Sequence, residues 1–275
     1  MISSDKTALS IRDHPKALCV VTHHKTGTVW MRSVFSAIAG AFGIPFASAQ
    51  DPASAVSIAK QLDTGPAILV VLNGVIPRLL ADDPDIRFIH MIRDPRDVLL
   101  SGLQYHLSHV PRRNSPETSI HAPRSEFGGL TYQQKLRSIP TNDARLRFEM
   151  IRRHNTTVRQ MLNWDYSDPR TTEWRYEDMM LDRDCARFAS AMQAIGYRPD
   201  KCKTMCRTFL EKSIFDQTGQ SVGADEHVKS GCIRRWETEL PATFKTRYEE
   251  KYGYALRALG YETDGGWAER AKPSM

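Results

Sequence analysis

The sequence predicts an α/β protein: one domain over residues 1–275, with a central parallel sheet flanked by helices. Two observations predict it. Short apolar runs at 17–22 (ALCVVT), 67–72 (AILVVL) and 86–92 (IRFIHMI) read as strands buried on both faces. Helical patterns stand between them, and strands that alternate with helices form parallel sheets joined by crossovers.

The elements follow in order. After the first strand, residues 28–40 read as a helix with Val29, Trp30, Val34 and Ile38 on one face and Gly40 near its end. Residues 41–65, rich in Ala, Ser, Pro and Gly, read as a loop with a short helix. Asn73-Gly74 ends the second strand. Asp94-Pro95 starts a helix over 95–108, Asp as N-cap and Pro at the first helical position. Residues 110–130 lack periodicity and read as a long mobile loop. Helices are predicted at 131–138 and 142–163, a fourth strand at 171–176, and helices at 182–195, 199–212 and 239–259. A polar loop with Gly covers 216–235.

Composition narrows the function classes. Lys+Arg 38 against Asp+Glu 32 gives a net charge of +6 and a pI near 9.1, which favours an anionic partner or a mildly basic enzyme. The basic residues are spread out, so a nucleic-acid surface is not expected. Cys19, Cys185, Cys202, Cys206 and Cys232 form an odd, scattered set without zinc spacing. No metal site and no disulfide framework are expected, which points to a reducing, cytoplasmic compartment. The N-terminal stretch lacks the apolar core of a signal peptide, and no run is long enough to span a membrane.

Two stretches carry chemistry. Thr22 to Trp30 (THHKTGTVW) follows the first strand and opens a helix, an arrangement that presents backbone N–H groups to an anion. A Walker loop, G-x-x-x-x-G-K-[ST], carries its lysine near the end; here Lys25 comes first. Gly27 lets the loop curl, and Thr26 and Thr28 offer hydroxyls. The plain alternative is a strand-to-helix turn with a surface lysine. The second stretch, Arg93 to Gly102 (RDPRDVLLSG), sits at the carboxyl end of the third strand, where open α/β sheets bind ligands. Arg93 and Ser101 can together hold a terminal phosphate; alternatively Arg93 pairs with Asp97.

Together the two stretches resemble the cytosolic-type sulfotransferase family, which uses 3′-phosphoadenosine-5′-phosphosulfate (PAPS). The family's loops read roughly [PH]-K-[ST]-G-T-T-W and R-[DN]-P-[RK]-D-[VA]-x-x-S, matched here by HKTGTVW and RDPRDVLLS. Tyr176-Glu177-Asp178 looks like its Y-E-D segment. HVKSGCIRRW (227–236) resembles R-K-G-x-x-G-x-W, with Lys229 for Arg, Ser230 for Lys and Arg234 for the second Gly. The resemblance covers about residues 17–260.

It implies a P-loop, nucleotide-kinase-like sulfotransferase fold and metal-independent transfer of a sulfuryl group from PAPS to an acceptor hydroxyl or amine. Lys25, Thr26, Gly27, Thr28 and Val29 would hold the 5′-phosphosulfate, with Lys25 stabilising the leaving oxygen. Trp30 and Tyr176 would contact the adenine, or simply pack. Arg93, Ser101, Lys229, Ser230 and Gly231 would hold the 3′-phosphate. In many relatives a His follows the second strand; Asn73 stands there, so Asp51, His24 and His106 become the candidate bases. The acceptor, a small molecule or saccharide, and the oligomeric state are not readable. The rival readings are a nucleotide-kinase-like phosphoryl transferase, which would need the Walker loop, and a non-catalytic nucleotide or anion binder.

Overall fold

The computed structural model describes residues 14–49, 66–74, 76, 78–108, 120–213 and 232–271. Asp51, Lys229, Ser230 and Gly231 lie outside them. Five strands form one parallel sheet in the order β2-β3-β1-β4-β5. They are β1 (Ala17–Thr22), β2 (Phe46–Ala49), β3 (Ala67–Val71), β4 (Ile86–Ile92) and β5 (Thr171–Arg175). The unexpected strand, β2, is the short sequence FASA. It carries no apolar signal of its own and forms by pairing with β3 at the sheet edge.

The unbroken apolar runs are explained by cover on both faces. Leu18 and Val20 of β1 pack with α1 (Thr28–Phe42) and with the helices Ala186–Ile195 and Pro199–Glu211. Ala17, Cys19 and Val21 point to the opposite face. A third apolar cluster joins α2 (Pro95–Ser108) to the helical layer of Asn142–Leu162 and Ala242–Ala258.

Several boundaries differ from the sequence reading for identifiable reasons. The helix expected from 182 begins at Ala186, because the Asp182 carboxylate accepts from the backbone N–H groups of Arg187 and Phe188 at 3.0 and 2.8 Å. The helix expected over 142–163 contains a π turn, Met150–His154. The final long helix runs Ala242–Ala258, after a short turn of helix at Trp236–Glu239. Part of the loop expected to be mobile is folded: Pro123 bridges to Thr131, and Ile120 and Phe127 are buried. The strand expected to reach 176 stops at Arg175, and Tyr176 starts a helix to Leu181.

Register places the functional edge. Thr22 pairs with Met91, and Ile92 with Arg175. The residues that follow β1, β4 and β5, namely His23, Arg93 and Tyr176, therefore leave the sheet side by side. Among the described residues no helix is long and apolar enough to cross a membrane. All five cysteines are free thiols.

At this edge His23 and His90 are fully buried, with their Nε2 atoms 2.8 Å apart. The His90 ring stacks on Trp164 at 4.3 Å. The His23 ring fills the space beside Gly74, where an added Cβ would stand 2.2 Å away. Burial lowers His23 to about 4, and burial followed by the neighbouring His23 lowers His90 to about 2. Both rings are neutral in the fold. Below pH 6.5 the unfolded chain takes up protons that the fold refuses, so stability falls with pH from about 6.5 down to about 4 and beyond. Urea unfolding at pH 7 and pH 5 is expected to show a lower midpoint at pH 5. Each neutral histidine contributes about 1.4 kcal/mol per pH unit. His90→Phe is expected to flatten the dependence; an unchanged slope contradicts this assignment.

Candidate active site

The loop between β1 and α1 is held by its own polar groups. Thr26 Oγ1 accepts from the His23 backbone N–H at 2.9 Å and donates to the His23 carbonyl at 3.1 Å. Thr28 Oγ1 donates to the same carbonyl at 3.1 Å and shares a hydrogen bond with Thr22 Oγ1. The two hydroxyls expected to face a phosphate are therefore engaged in bracing the loop. The loop turns through left-handed backbone at Lys25 (φ 65) and Gly27 (φ 106). A Cβ on Gly27 would stand 3.1 Å from the Tyr176 ring, which fixes glycine there on two grounds.

What the loop offers an anion is backbone. Gly27 is the N-cap of the 15-residue α1; no side chain caps the helix, and its first turn has no acidic residue. The first helical carbonyl acceptor serves Met31, at 2.9 Å from Gly27 O, and the backbone N–H groups of the first turn, Thr28 and Val29 among them, precede the point where intrahelical partners begin. Together with the positive end of the helix dipole they fit a phosphate. Lys25 stands beside them, half-buried, with Nζ 4.5 Å from the centre of the Tyr105 ring. Burial, then the nearby Arg93 charge, lowers its pKa to about 8.

Arg93 is 6% exposed. Its Nη1 donates to the Lys25 carbonyl at 3.3 Å and its Nη2 to the Cys232 carbonyl at 3.4 Å. The Asp97 carboxylate lies at 3.8 Å, and Nε has no hydrogen-bond partner among the described residues. The pairing with Asp97 thus exists but is loose, and a buried guanidinium with long contacts keeps donors for a further anion. Asp97 also accepts from the Trp236 backbone N–H at 3.0 Å. The chain from Cys232 to Trp236 is therefore pinned beside Arg93. Asp97, half-buried Ser101 and Tyr105 recur every four residues along α2, continuing the spacing from Arg93 just before it, and Arg93 and Tyr105 both touch Lys25.

Tyr176 is a wedge. Its ring lies 4.2 Å from the Arg93 guanidinium and edge-on to Trp30 at 5.8 Å. Trp30, 3% exposed, also packs on Phe209 at 5.7 Å, so packing is the role the described residues display for it. Glu177 follows Tyr176 at the start of the same helix. It accepts from the Asp94 backbone N–H at 2.9 Å and from Tyr261 Oη at 3.1 Å, holding the start of α2. Burial raises it to about 7.

The two candidate bases among the described residues are adjacent. His24 stacks flat on His106, ring centres 5.0 Å apart and planes within 7°. Burial, then His106, Lys25, Arg153 and His154, hold His24 well below its ordinary value. Sequence reasoning missed Tyr105, Glu177, Glu149 and the His23–His90 pair. The four-residue spacing from Arg93 could have found Tyr105; the others meet only through tertiary contact. Among the described residues no group of three or more His, Cys, Asp or Glu side chains suits a metal ion.

The model for the sulfotransferase domain matches residues 15–186, more than half of the chain. No curated protein matches in sequence. Among solved structures, mouse sulfotransferase SULT7A1 complexed with PAP aligns at TM-score 0.48 and 16% identity, over 91% of this chain and 88% of that one. Retinol dehydratase in a complex with retinol and PAP aligns at TM-score 0.44 and 12% identity, over 90% and 83%.

The Lys25 environment sets a stability cost. Its folded pKa lies below the unfolded value, so the charged form is penalised at pH 7, and the penalty fades as pH rises from about 8 toward about 10.5. Lys25→Met is expected to raise the ligand-free melting temperature at pH 7, by about 2–4 °C per kcal/mol in a chain of this size. The gap should narrow at higher pH. A lower melting temperature for the variant contradicts this account.

Proposed function

The chain belongs to the sulfotransferase-domain family, and on that premise we propose that it transfers the sulfuryl group of PAPS to an acceptor hydroxyl or amine, in line, leaving adenosine-3′,5′-bisphosphate. The observation that carries the reading is the uncapped α1 N-terminus with Lys25 beside it and under-satisfied Arg93 bonded to the Lys25 carbonyl. Two groups of anion-binding donors on one edge suit a nucleotide with phosphates on both the 5′ and 3′ carbons.

Each residue then has a task. The backbone of Gly27 to Trp30 binds the 5′-phosphosulfate, and the Thr26 and Thr28 hydroxyls keep that backbone in place. Lys25 stabilises the charge that grows on the leaving bridging oxygen. Its lowered pKa makes it a better proton donor than an ordinary lysine, and still largely charged at pH 7. Arg93 and Ser101 hold the 3′-phosphate, joined by Lys229, Ser230 and Gly231. Tyr176 positions Gly27 and Arg93 together. The acceptor is a small molecule or saccharide whose proton goes to a base, for which Asp51, His24 and His106 stand as candidates. The free cysteines support a cytoplasmic setting.

Thermal stabilisation tests the reading. At 100-fold excess over its Kd a ligand adds about 2.7 kcal/mol. Adenosine-3′,5′-bisphosphate is expected to raise the melting temperature more than adenosine-5′-monophosphate or ATP with magnesium. Arg93→Ala should remove most of the gap between the bisphosphate and the monophosphate, about 1.5–3 kcal/mol for hydrogen bonds to a charged group. Greater stabilisation by ATP with magnesium would favour the kinase-like reading and contradict this one.

A further inference from the structure

Glu149 is a carboxylate, 1% exposed, that the nucleotide site does not use. Its two oxygens stand 3.0 and 2.9 Å from Nδ1 of His106, and Oε2 also accepts from Tyr132 Oη at 2.8 Å. A carboxylate oxygen accepts, so this geometry assigns the shared hydrogen to Nδ1 and leaves Nε2 as the ring atom that can take a further proton. The backbone is shaped around the pair. A Cβ on Gly102 would stand 3.2 Å from Glu149 Oε1, and Gln133 Nε2 donates to the His106 carbonyl at 3.0 Å. The π turn Met150–His154 begins at the next residue, and such turns gather at functional sites.

The pair adjoins the anion loop. His24, next to Lys25 in the chain, stacks on His106, and Tyr105, next to His106, lies under Lys25 Nζ. A base must take a proton and carry the resulting charge. His24 is surrounded by His106, Lys25, Arg153 and His154, with no carboxylate bonded to it among the described residues, so an imidazolium there is opposed. An imidazolium at His106 meets Glu149, the arrangement by which a carboxylate orients and supports a histidine base.

We propose that His106 is the general base of the transfer and that Glu149, held by Tyr132, is its positioning residue; this rests on the sulfuryl-transfer reading above. As the acceptor oxygen bonds to sulfur, its proton passes to Nε2 of His106. The bond from sulfur to the 5′-phosphate oxygen breaks, and the electron pair stays on that oxygen beside Lys25. The products are the sulfated acceptor, adenosine-3′,5′-bisphosphate and one proton, which His106 returns to water.

Histidine-selective 15N spectra of the full chain read the tautomer without any turnover. Nδ1 protonated and Nε2 bare near neutral pH is expected for His106, with a shift toward the opposite tautomer in E149Q. A wild-type ring protonated at Nε2 overturns the proposal. Release of adenosine-3′,5′-bisphosphate from PAPS, with 2-naphthol and with water as acceptors, supplies the kinetic arm. H106A is expected to lower kcat about 10²–10⁴-fold, with affinity for adenosine-3′,5′-bisphosphate unchanged and partial recovery on adding imidazole. E149Q should lower kcat about tenfold or more, and E149D less. H106A with wild-type kcat overturns this proposal alone. So does a loss in H106A that imidazole does not relieve. A wild type that does not bind adenosine-3′,5′-bisphosphate overturns the transfer reading and this proposal with it.

Discussion

Arg93 donates to the carbonyl oxygen of Lys25, and the arrangement of the site depends on that contact. It ties the end of β4 to the loop after β1 across neighbouring parallel strands. Lys25 has left-handed backbone, so its carbonyl turns toward Arg93 while its side chain runs to Tyr105, about three turns further along α2. The two cations share one half-dry edge, and part of what lowers the Lys25 pKa is the Arg93 charge itself. Like charges held this way are unfavourable until an anion arrives. The ligand-free protein keeps both cations in place at that cost.

Around that contact the supporting groups are mostly buried and specific. Glu177 holds the Asp94 N–H, Asp97 holds the Trp236 N–H, and Tyr176 fills the wedge between Gly27 and Arg93. Arg96 belongs to the same scaffold: its guanidinium is paired with Asp94 at 2.7 Å and lies 3.6 Å from the centre of the Trp236 ring. The start of α2 is thereby fixed from three directions, so Arg93 is placed by rigid elements instead of by a free loop.

Much of this was legible in the chain. Three apolar runs gave three strands, because strands buried on both faces have no polar side to show. THHKTGTVW and RDPRDVLLS were legible as strand-to-helix junctions because Gly27 and Asp94-Pro95 mark a helix start after an apolar run. The rest is hidden for physical reasons. FASA becomes a strand only by adding to β3. The Thr26 and Thr28 hydroxyls serve the loop, a choice the residue types cannot reveal. His106 and Glu149 are 43 residues apart, and only the packing of two helices brings them to 2.9 Å. Asn73 stands where many relatives carry a His, and the residue types alone do not choose among Asp51, His24 and His106.

The central claim is that this edge binds one nucleotide through two phosphates at two addresses. A crystal structure with adenosine-3′,5′-bisphosphate tests it most directly. The 5′-phosphate is expected on the N–H groups at the start of α1 beside Lys25, and the 3′-phosphate on Arg93 and Ser101. A nucleotide bound with its 3′-phosphate turned away from Arg93, or bound away from the α1 N-terminus, would contradict the account.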